Sequence, residues 1–426
     1  QIIQEIVFTL QYLCKKYKDS ISHQEREFIL SNISKFTIPV FYILAKVHKN
    51  PVKGRPICAG HSWLLNPASQ LAGKYLQPFL KLYPTIIHDS KSLVIELEEL
   101  EIPKDCTLMT ADFDSLYTMI PIGEAILCVE FLFASHPIPQ AELILGLLKA
   151  ILYLNMIEFN GEFYLQLDGF AMGTSLAPIL ANLYVAWLEN DCNIHDHEEI
   201  LLYRRLIDDI LVLWNGTVKS GMEFCNKIGS MRKSLTIKQK ISTQSIDFLD
   251  ITLYKGQRFL DTSILDLKVY QKPINLYLYI AFDSNEPIHI KKGLIKTELI
   301  RYCRICSDEL SFQEISSFFF CRLKDRGYLI DFLIKEFEKV KYSDRAYYLQ
   351  NKNDESSKAD QVFYKTIFDS RTQELNLSQL FRECNGDEFC KQFIQNNLHK
   401  APMISYKKDE TLGKMLVRAR FETKPV

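Results

Sequence analysis

An apolar run that is broken only by two adjacent aspartates constrains this chain more than any other feature. Residues 205–214 read RLIDDILVLW, and Asp208 and Asp209 interrupt a pattern that otherwise favours a strand. The run predicts a hairpin with both carboxylates at its tip. Because two neighbouring carboxylates repel each other, they need a counter-charge, and a divalent cation is the natural one. The alternative is that the pair only makes a tight turn, since Asp is a common turn residue.

A third acid lies upstream of this hairpin. Residues 108–118 read LMTADFDSLYT, and apolar residues lead up to Asp112 as they do at the end of a buried strand. Pro121 and Gly123 then mark a turn into an apolar segment of helical period. An acid at one strand end and a pair on a neighbouring hairpin can hold two metal ions, which is typical of phosphoryl-transfer sites.

A glycine-rich turn lies between the two acidic segments. Residues 166–178 read QLDGFAMGTSLAP and run into a helical pattern over residues 179–188. Glycines before a helix let the backbone approach a ligand closely, and the start of the helix offers unpaired N–H groups. A purely structural cap is the alternative function of such a turn.

In their order, these segments resemble motifs A, B and C of a reverse transcriptase palm. More narrowly, they are similar to the Penelope-like element reverse transcriptases, a family related to telomerase catalytic subunits. The resemblance covers nearly the whole chain, although no segment resembles the GIY-YIG endonuclease that many members carry. Further segments similar to family signatures are YILAKVHK (42–49), RPI (55–57), FLDIT (248–252), YQKP (270–273), SNEP (284–287), RGY (326–328) and TLGKMLV (411–417).

The resemblance implies an α+β fold with right-hand polymerase architecture. We expect fingers with an N-terminal helical segment in residues 1–104, a palm with an antiparallel sheet in residues 105–272, and a mostly helical thumb with a C-terminal extension in residues 273–426. Hydrophobic residues make up 47% of the 426 residues, which is enough to build sizeable cores. The chain does not begin with Met, so we expect it to be part of a longer product.

The resemblance also implies an activity and its cofactors. The chain would be an RNA-directed DNA polymerase that adds dNTPs to a DNA primer on an RNA template, using two Mg²⁺ ions, with Mn²⁺ as an alternative. Asp112, Asp208 and Asp209 would be the catalytic acids and metal ligands. The backbone carbonyl of Phe113 would complete the ligand set.

Four further residues are candidates for binding the incoming nucleotide. Lys46 and Arg55 would hold the triphosphate, since guanidinium meets phosphate oxygens through a rigid donor fork. Gln166 and Gly173 would border the nascent base pair. For the two basic residues the alternative is an ordinary charged surface.

Tyr117 lies five positions after Asp112, where the steric gate of the family falls. A ring beneath the sugar would leave no room for a 2′-hydroxyl, which is the group that distinguishes ribonucleotides from deoxyribonucleotides. The resemblance therefore implies a preference for dNTPs. A plain core tyrosine is the alternative.

One departure from the family keeps two other functions open. Leu206 stands where the family usually has a tyrosine before the aspartate pair. A domesticated palm that binds nucleic acid without polymerising it would tolerate that change, and a polymerase of the same fold that prefers RNA synthesis is the second rival. The intact acids, Arg55 and Tyr117 favour the reverse transcriptase, because a scaffold would not need all of them.

Charge and composition bear on partners and location. The net charge of −1 and a pI near 6.8 say little about nucleic acid, but basic residues cluster locally and could neutralise phosphates. The scattered cysteines and the lack of an apolar stretch of about 20 residues predict a reduced compartment without membrane insertion. We expect nuclear action after cytoplasmic synthesis, and the oligomeric state stays open. Besides the basic residues near Lys46, there are two basic clusters. One contains Lys291, Lys292, Lys296, Arg301 and Arg304, and the other contains Lys407, Lys408, Lys414, Arg418 and Arg420.

Overall fold

A computed structural model describes residues 1–46, 51–350, 363–367 and 403–407. The chain divides into two compact units, residues 1–274 and 275–426, and each is described by itself. His48, Lys49 and the TLGKMLV segment lie outside the described residues. The three predicted domains, with limits at 104/105 and 272/273, stay predictions.

The first unit combines ten α-helices and eleven strands among its described residues. The helices are α1 (Ile2–Lys16), α2 (His23–Leu30), α3 (Asn66–Leu76), α4 (Ser90–Glu99), α5 (Leu116–Met119), α6 (Ile122–Ser135), α7 (Ala141–Tyr153), α8 (Ala177–Asp191), α9 (Val218–Gly229) and α10 (Gln257–Thr262). The strands are β1 (Phe41–Lys46), β2 (Lys53–Cys58), β3 (Thr107–Phe113), β4 (Met156–Phe159), β5 (Glu162–Leu165), β6 (Ile200–Leu206), β7 (Asp209–Trp214), β8 (Ile237–Ser242), β9 (Ser245–Phe248), β10 (Ile251–Tyr254) and β11 (Asp266–Val269).

A four-stranded antiparallel sheet in the order β6-β7-β3-β8 lies at the centre of this unit. Its middle strands, β3 and β7, are apolar along most of their length because both faces of the sheet are covered. Met109, Phe113 and Val212 point into the main core, which the helices α6, α7 and α8 share. Leu108 and Leu211 are fully buried on the opposite face, where β9 packs against β3 and β7.

Alternation along the strands decides the face on which the acids lie. Successive side chains of a strand point to opposite faces, so Asp112 shares the face of Leu108 rather than that of Phe113. Asp209 is two residues before Leu211 on β7 and belongs to the same face. The carboxylates therefore lie on the face away from the main helical core.

The smaller sheets are local hairpins. β1 and β2 pair antiparallel, from Phe41 opposite Cys58 to Lys46 opposite Lys53. β4 and β5 form a second hairpin, and its turn residues Asn160 and Gly161 have φ values of 53° and 82°. The Asn-Gly dipeptide predicts this hairpin, because both turn residues must adopt positive φ, and that prediction is confirmed. β9, β10 and β11 form a three-stranded antiparallel sheet.

The second unit is mainly helical in its described part. Its elements are α11 (Ile288–Ile305), α12 (Glu309–Asp325), α13 (Ile330–Phe337), α14 (Arg345–Gln350) and the parallel strand pair β12 (Phe363–Ile367) and β13 (Met403–Lys407). Phe319 of α12 is fully buried, and its ring packs against those of Tyr302 and Phe337. Over the described residues, no helix is both long and apolar enough to cross a bilayer.

One lysine of the basic cluster on α11, which was predicted to contact phosphates, is buried in the structure. Lys291 is buried, and its ammonium donates hydrogen bonds to the carbonyls of Phe282 and Ser284 at 2.6 and 2.9 Å. The expectation that Lys291 contacts phosphate is therefore wrong, because a buried ammonium that closes a turn is not available to a nucleic acid. The side chains of the last basic cluster lie outside the described residues.

Candidate active site

The structure brings the three predicted acids together. Asp112, near the end of β3, lies directly opposite Asp209, the first residue of β7. Residues opposed in this way have Cα atoms about 4.5 to 5.5 Å apart. Asp208 occupies the tip of the β6–β7 hairpin, and its carbonyl accepts a hydrogen bond from the Phe113 N–H at 3.1 Å. The hairpin tip is thus fastened to the strand that carries the third acid.

The turn at this tip is tight and strained. Leu206 pairs with Asp209, which leaves Ile207 and Asp208 as the two turn residues. Ile207 has a φ of 58°, a left-handed conformation that is unfavourable for a β-branched residue. Two-residue hairpin turns require positive φ at the first position, so the register of the hairpin imposes the strain.

Burial and neighbouring carboxylates raise the pKa values of Asp208 and Asp209. Burial raises the pKa of Asp209 to about 6, with a further contribution from the charges of Asp208 and Asp112, and Lys272 opposes the shift. Burial also raises the pKa of Asp208, and the Asp112 charge adds to this effect. The nearby lysines and arginine oppose these shifts without cancelling them, so a cation bound among the acids would be favoured.

An open cleft with an empty volume of about 1500 Å³ surrounds the acids. Residues of the β1–β2 hairpin, of the segment from the end of β3 to α5, and of the glycine-rich turn before α8 line this cleft. The predicted site residues that line this cleft are Lys46, Arg55, Asp112, Phe113, Tyr117, Gly173, Asp208 and Asp209.

Two predicted phosphate-binding residues come from the β1–β2 hairpin. Arg55 is exposed and Lys46 is half-buried, and both line the cleft. Their positive charges lower the pKa of Asp208, against the effect of burial. The hairpin therefore places both cations where an anionic ligand in front of the acids would meet them.

Tyr117 is half-buried on α5, in contact with the glycine-rich turn. Burial, and then the nearby charge of Asp208, raise the pKa of its hydroxyl to about 12. The Tyr117 carbonyl accepts a hydrogen bond from the Phe170 N–H at 2.6 Å. Gly169 has a φ of 74°, and a Cβ there would lie 2.8 Å from the carbonyl oxygen of Thr118. Glycine is needed at this position because two backbone segments meet without space for a side chain.

The other end of the same turn is held by β2. The Cys58 N–H donates to the Met172 carbonyl at 2.8 Å. Gly173 has a φ of 124°, and a Cβ there would lie 2.4 Å from the Cys58 carbonyl oxygen. Gly173 therefore borders the cleft for a packing reason that is independent of any ligand.

Gln166 lies outside the cleft. It lines a neighbouring cavity of about 310 Å³. Its amide nitrogen donates to the carbonyls of Asp168 and Gly169, each at 3.0 Å, and its amide oxygen accepts from Asn155 at 2.8 Å. The side chain thus holds the glycine-rich turn in shape, and a contact with a base pair stays a prediction.

Several residues of the cleft are missing from the predicted set. Asp114 accepts hydrogen bonds from Lys238 at 2.6 Å and from Lys53 at 3.3 Å, and the Lys238 bond is the main reason that its pKa is lowered to about 2. Lys272 also lines the cleft. The YQKP segment could have identified Lys272, whereas no local pattern links Lys53 to an acid that lies 61 residues away.

The donor set suits a hard cation. Carboxylate and carbonyl oxygens are the ligands that Mg²⁺ takes, and a cation would relieve the repulsion that raises the aspartate pKa values. Among the described residues, no three acidic, histidine or cysteine side chains already converge in a metal-binding arrangement. The backbones of Asp112 and Asp209 are nevertheless adjacent on paired strands.

Comparison with solved structures identifies the fold. A structure of telomerase from Candida albicans, bound to a fragment of telomeric RNA, aligns with 80% of this chain at a TM-score of 0.52 and 14% identity. The chain has a polymerase fold. The prediction of an α+β polymerase architecture is thereby confirmed, while at this identity the match shows the fold alone. The alignment covers 61% of the telomerase chain, so this chain spans about three fifths of its length.

Two other polymerase structures align with this chain at lower TM-scores. Apo telomerase from Candida tropicalis aligns with 74% of this chain and 58% of its own, at 12% identity and a TM-score of 0.44. The RNA-dependent RNA polymerase of a human picorbirnavirus aligns with 73% of this chain and 63% of its own, at 14% identity and a TM-score of 0.42.

The model of the animal helix-turn-helix domain matches residues 278–338, which include α11, α12 and α13. The curated proteins give no match.

Proposed function

We propose that this chain is an RNA-directed DNA polymerase of a Penelope-like retroelement. It would transfer nucleotides from dNTPs to the 3′-hydroxyl of a DNA primer on an RNA template, in the nucleus after synthesis in the cytoplasm. The observation that supports this most is the placement of Asp112 directly opposite Asp209, with Asp208 beside them, in the cleft of a polymerase fold. A pair of aspartates that served only as a turn would not need a third acid across the sheet.

The acids and one carbonyl are the proposed metal ligands. Asp112, Asp208, Asp209 and the Phe113 carbonyl would hold two Mg²⁺ ions, with Mn²⁺ as an alternative. Such ions, when bound, lower the pKa of an attacking hydroxyl and neutralise the charge on a leaving phosphate. The protein contributes the rigid placement of the acids on two paired strands, which fixes where the primer end and the α-phosphate must meet.

The basic residues of the cleft would hold the triphosphate. Arg55 and Lys46 stand on the β1–β2 hairpin, from which their charges already act on Asp208. Lys53 and Lys238 are bound to Asp114, which keeps two more cations within the cleft at a fixed position. A triphosphate arriving there would meet a surface of cations behind the acids, and its charge would be neutralised without a large rearrangement.

Tyr117 would select the sugar. Its side chain is half-buried and lines the cleft, and its carbonyl accepts a hydrogen bond from the Phe170 N–H, which holds the Tyr117 backbone against the glycine-rich turn. A rigid ring at that position would clash with a 2′-hydroxyl and accept a deoxyribose. The proposed activity is therefore DNA rather than RNA synthesis.

Primer extension tests the proposal. The purified chain is given RNA and DNA templates, a DNA primer, and either dNTPs or rNTPs with Mg²⁺, and Asp208→Asn is compared with wild type. Asp105→Asn is the matched control, since Asp105 is an exposed aspartate in the turn just before β3. We expect dNTP extension on RNA by wild type and by the control, and none by Asp208→Asn.

Three other results of the extension assay would each reject a different part of the proposal. Template binding by a wild-type protein that extends no primer would reject the polymerase and favour the binding module. Extension that depends on rNTPs would reject DNA synthesis and favour the RNA-synthesising rival. Equal extension by Asp208→Asn and wild type would reject the assignment of the acids.

A further inference from the structure

A completely buried ion pair lies behind the hairpin tip. Arg205 on β6 and Glu189 on α8 each have 0% of their surface exposed. The Arg205 Nε–H donates to Glu189 Oε1 at 2.7 Å, and Nη2–H donates to Oε2 at 3.2 Å. The Tyr203 hydroxyl donates to Glu189 Oε1 at 2.6 Å. The pair therefore joins the strand that leads into the tip to a helix that is buried along most of its length.

The same guanidinium also reaches the turn. Arg205 Nη1–H donates to the Ile207 carbonyl at 3.1 Å and to Asn182 Oδ1 at 2.9 Å. Ile207 is the residue with the strained φ of 58°, and its carbonyl belongs to the peptide bond that leads into Asp208. A strained backbone conformation persists only where the surrounding contacts hold it in place. Arg205, whose guanidinium is held by Glu189 and Asn182 of α8, supplies such a contact.

Stability alone explains this arrangement poorly. The free energy lost when two charges are removed from water can equal the free energy gained from their attraction. Apolar residues of similar volume often stabilise a buried site equally well. Buried ion pairs are better explained where they specify one geometry among several. Here the geometry that the pair specifies is the direction of the hairpin tip.

The neighbouring arginine provides an internal comparison. Arg204 is also on β6, but its guanidinium pairs with Glu96 of α4 and donates to the Tyr203 carbonyl. These partners lie away from the tip. β6 thus carries one arginine–glutamate pair that contacts the turn and one that anchors only the strand.

We propose that Arg205 is a positioning residue, which uses its pair with Glu189 to hold the Ile207 carbonyl and so directs Asp208 and Asp209 into the cleft. This inference rests on the proposed function, because the acids need a fixed direction only if they bind metal. Arg205 itself touches no reacting group in this scheme. Its effect passes through the backbone of the turn.

A balanced variant separates positioning from stability. Glu189→Leu, Tyr203→Phe and Arg205→Met together remove both charges and the hydroxyl, so that no buried charge is left unpaired, and Asn182 and the Ile207 carbonyl each lose a hydrogen bond. Glu96→Leu with Arg204→Met is the matched control on the same strand. Binding of Mn²⁺ to each protein is measured by electron paramagnetic resonance without nucleic acid, and kcat and KM for dNTP are measured by primer extension.

We expect the balanced variant to bind Mn²⁺ at least about tenfold more weakly and to lose kcat by a similar factor, as is usual when a partner of a metal ligand is removed. Its KM for dNTP should stay within about twofold of wild type, because Lys46 and Arg55 are untouched. The control should keep the affinity and kcat of wild type. If the balanced variant does not fold, Arg205→Lys is tested in its place. The lysine ammonium cannot make the contacts that the planar guanidinium makes with both Glu189 and the Ile207 carbonyl.

A folded balanced variant or Arg205→Lys variant with wild-type Mn²⁺ affinity and kcat would overturn the inference while leaving the proposed polymerase intact. An equal loss in the control pair would also overturn it, because the effect would then come from β6 in general. A wild-type protein that binds no Mn²⁺ and extends no primer would instead reject the proposed function, and the inference with it.

Discussion

Asp112 and Asp209 lie directly opposite each other on two antiparallel strands, on the sheet face that points away from the main helical core. Two like charges are unfavourable at this spacing in a half-buried place, and a fold selected for stability alone would avoid them. The arrangement therefore costs stability at the point where the proposed chemistry needs it. Activity and stability should respond in opposite directions when one of these charges is removed.

The first prediction concerns that trade-off. Asp209→Asn should stabilise the metal-free protein by about 1 kcal/mol, because it removes a carboxylate that is partly desolvated and repelled by its neighbours. The same change should lower primer extension by about 100-fold or more, since a charged group that stabilises the reacting centre is lost. Thermal unfolding in EDTA and single-turnover extension measure the two effects. Asp105→Asn should change neither quantity, and a destabilised Asp209→Asn protein would contradict the electrostatic argument.

The second prediction concerns pH. The folded-state pKa of Asp209, about 6, lies above the ordinary value of 3.8, so the folded protein holds this proton more tightly than the unfolded chain. The stability contributed by this group is fully present below about pH 4 and is lost as the pH rises through about 6. The difference in melting temperature between wild type and Asp209→Asn, both without metal, should therefore widen from pH 4 to pH 7.

Metal binding should show the opposite dependence on pH. A cation must displace the proton from Asp209 below about pH 6, so Mn²⁺ affinity should rise from pH 5 to pH 7 and then level off. Calorimetry in two buffers of different ionisation enthalpy should detect proton release at pH 6 and little at pH 8. Affinity that is constant over this range would show that Asp209 is not a ligand.

The third prediction concerns the sugar. Tyr117→Ala should raise the use of rNTPs relative to dNTPs by about tenfold or more, because the clash with a 2′-hydroxyl is removed. Tyr117→Phe is the control, since it keeps the ring and loses only a hydroxyl. Competition between labelled dNTP and rNTP measures the ratio. Unchanged discrimination in Tyr117→Ala would remove the assignment of this residue as the gate.

The fourth prediction concerns the glycine-rich turn. Gly173→Ala should destabilise the protein by about 1 to 3 kcal/mol, since φ is 124° and the new Cβ would lie 2.4 Å from the Cys58 carbonyl oxygen. The turn borders the cleft, so KM for dNTP should also rise. Gly293→Ala on α11 is the control, because a Cβ there would meet no atom of the described residues within 4 Å, and it should be neutral or stabilising. Denaturant unfolding and steady-state extension distinguish the two variants.

The positions of the acids could be predicted because they depend on local rules. Alternation along a strand and the need for a two-residue turn place Asp208 and Asp209 at a hairpin tip, and the apolar lead into Asp112 marks a strand end. The Asn-Gly turn of β4 and β5 follows from the same local chemistry. These features involve residues close together in the chain, whose conformations are limited by sterics before any long-range contact forms.

Other features of the site depend on contacts between distant segments. Asp114 pairs with Lys238 and Arg205 pairs with Glu189, although neither residue has a local sequence pattern that indicates its partner. Polar side chains can hydrogen-bond to many partners, and packing selects one of them.

The sequence by itself thus determined that Asp112 falls at the end of a strand and that Asp208 and Asp209 fall at the tip of a hairpin. Only the tertiary structure decided which cations face those acids and which buried pair supports the turn, because burial and charge pairing are set by how distant elements pack.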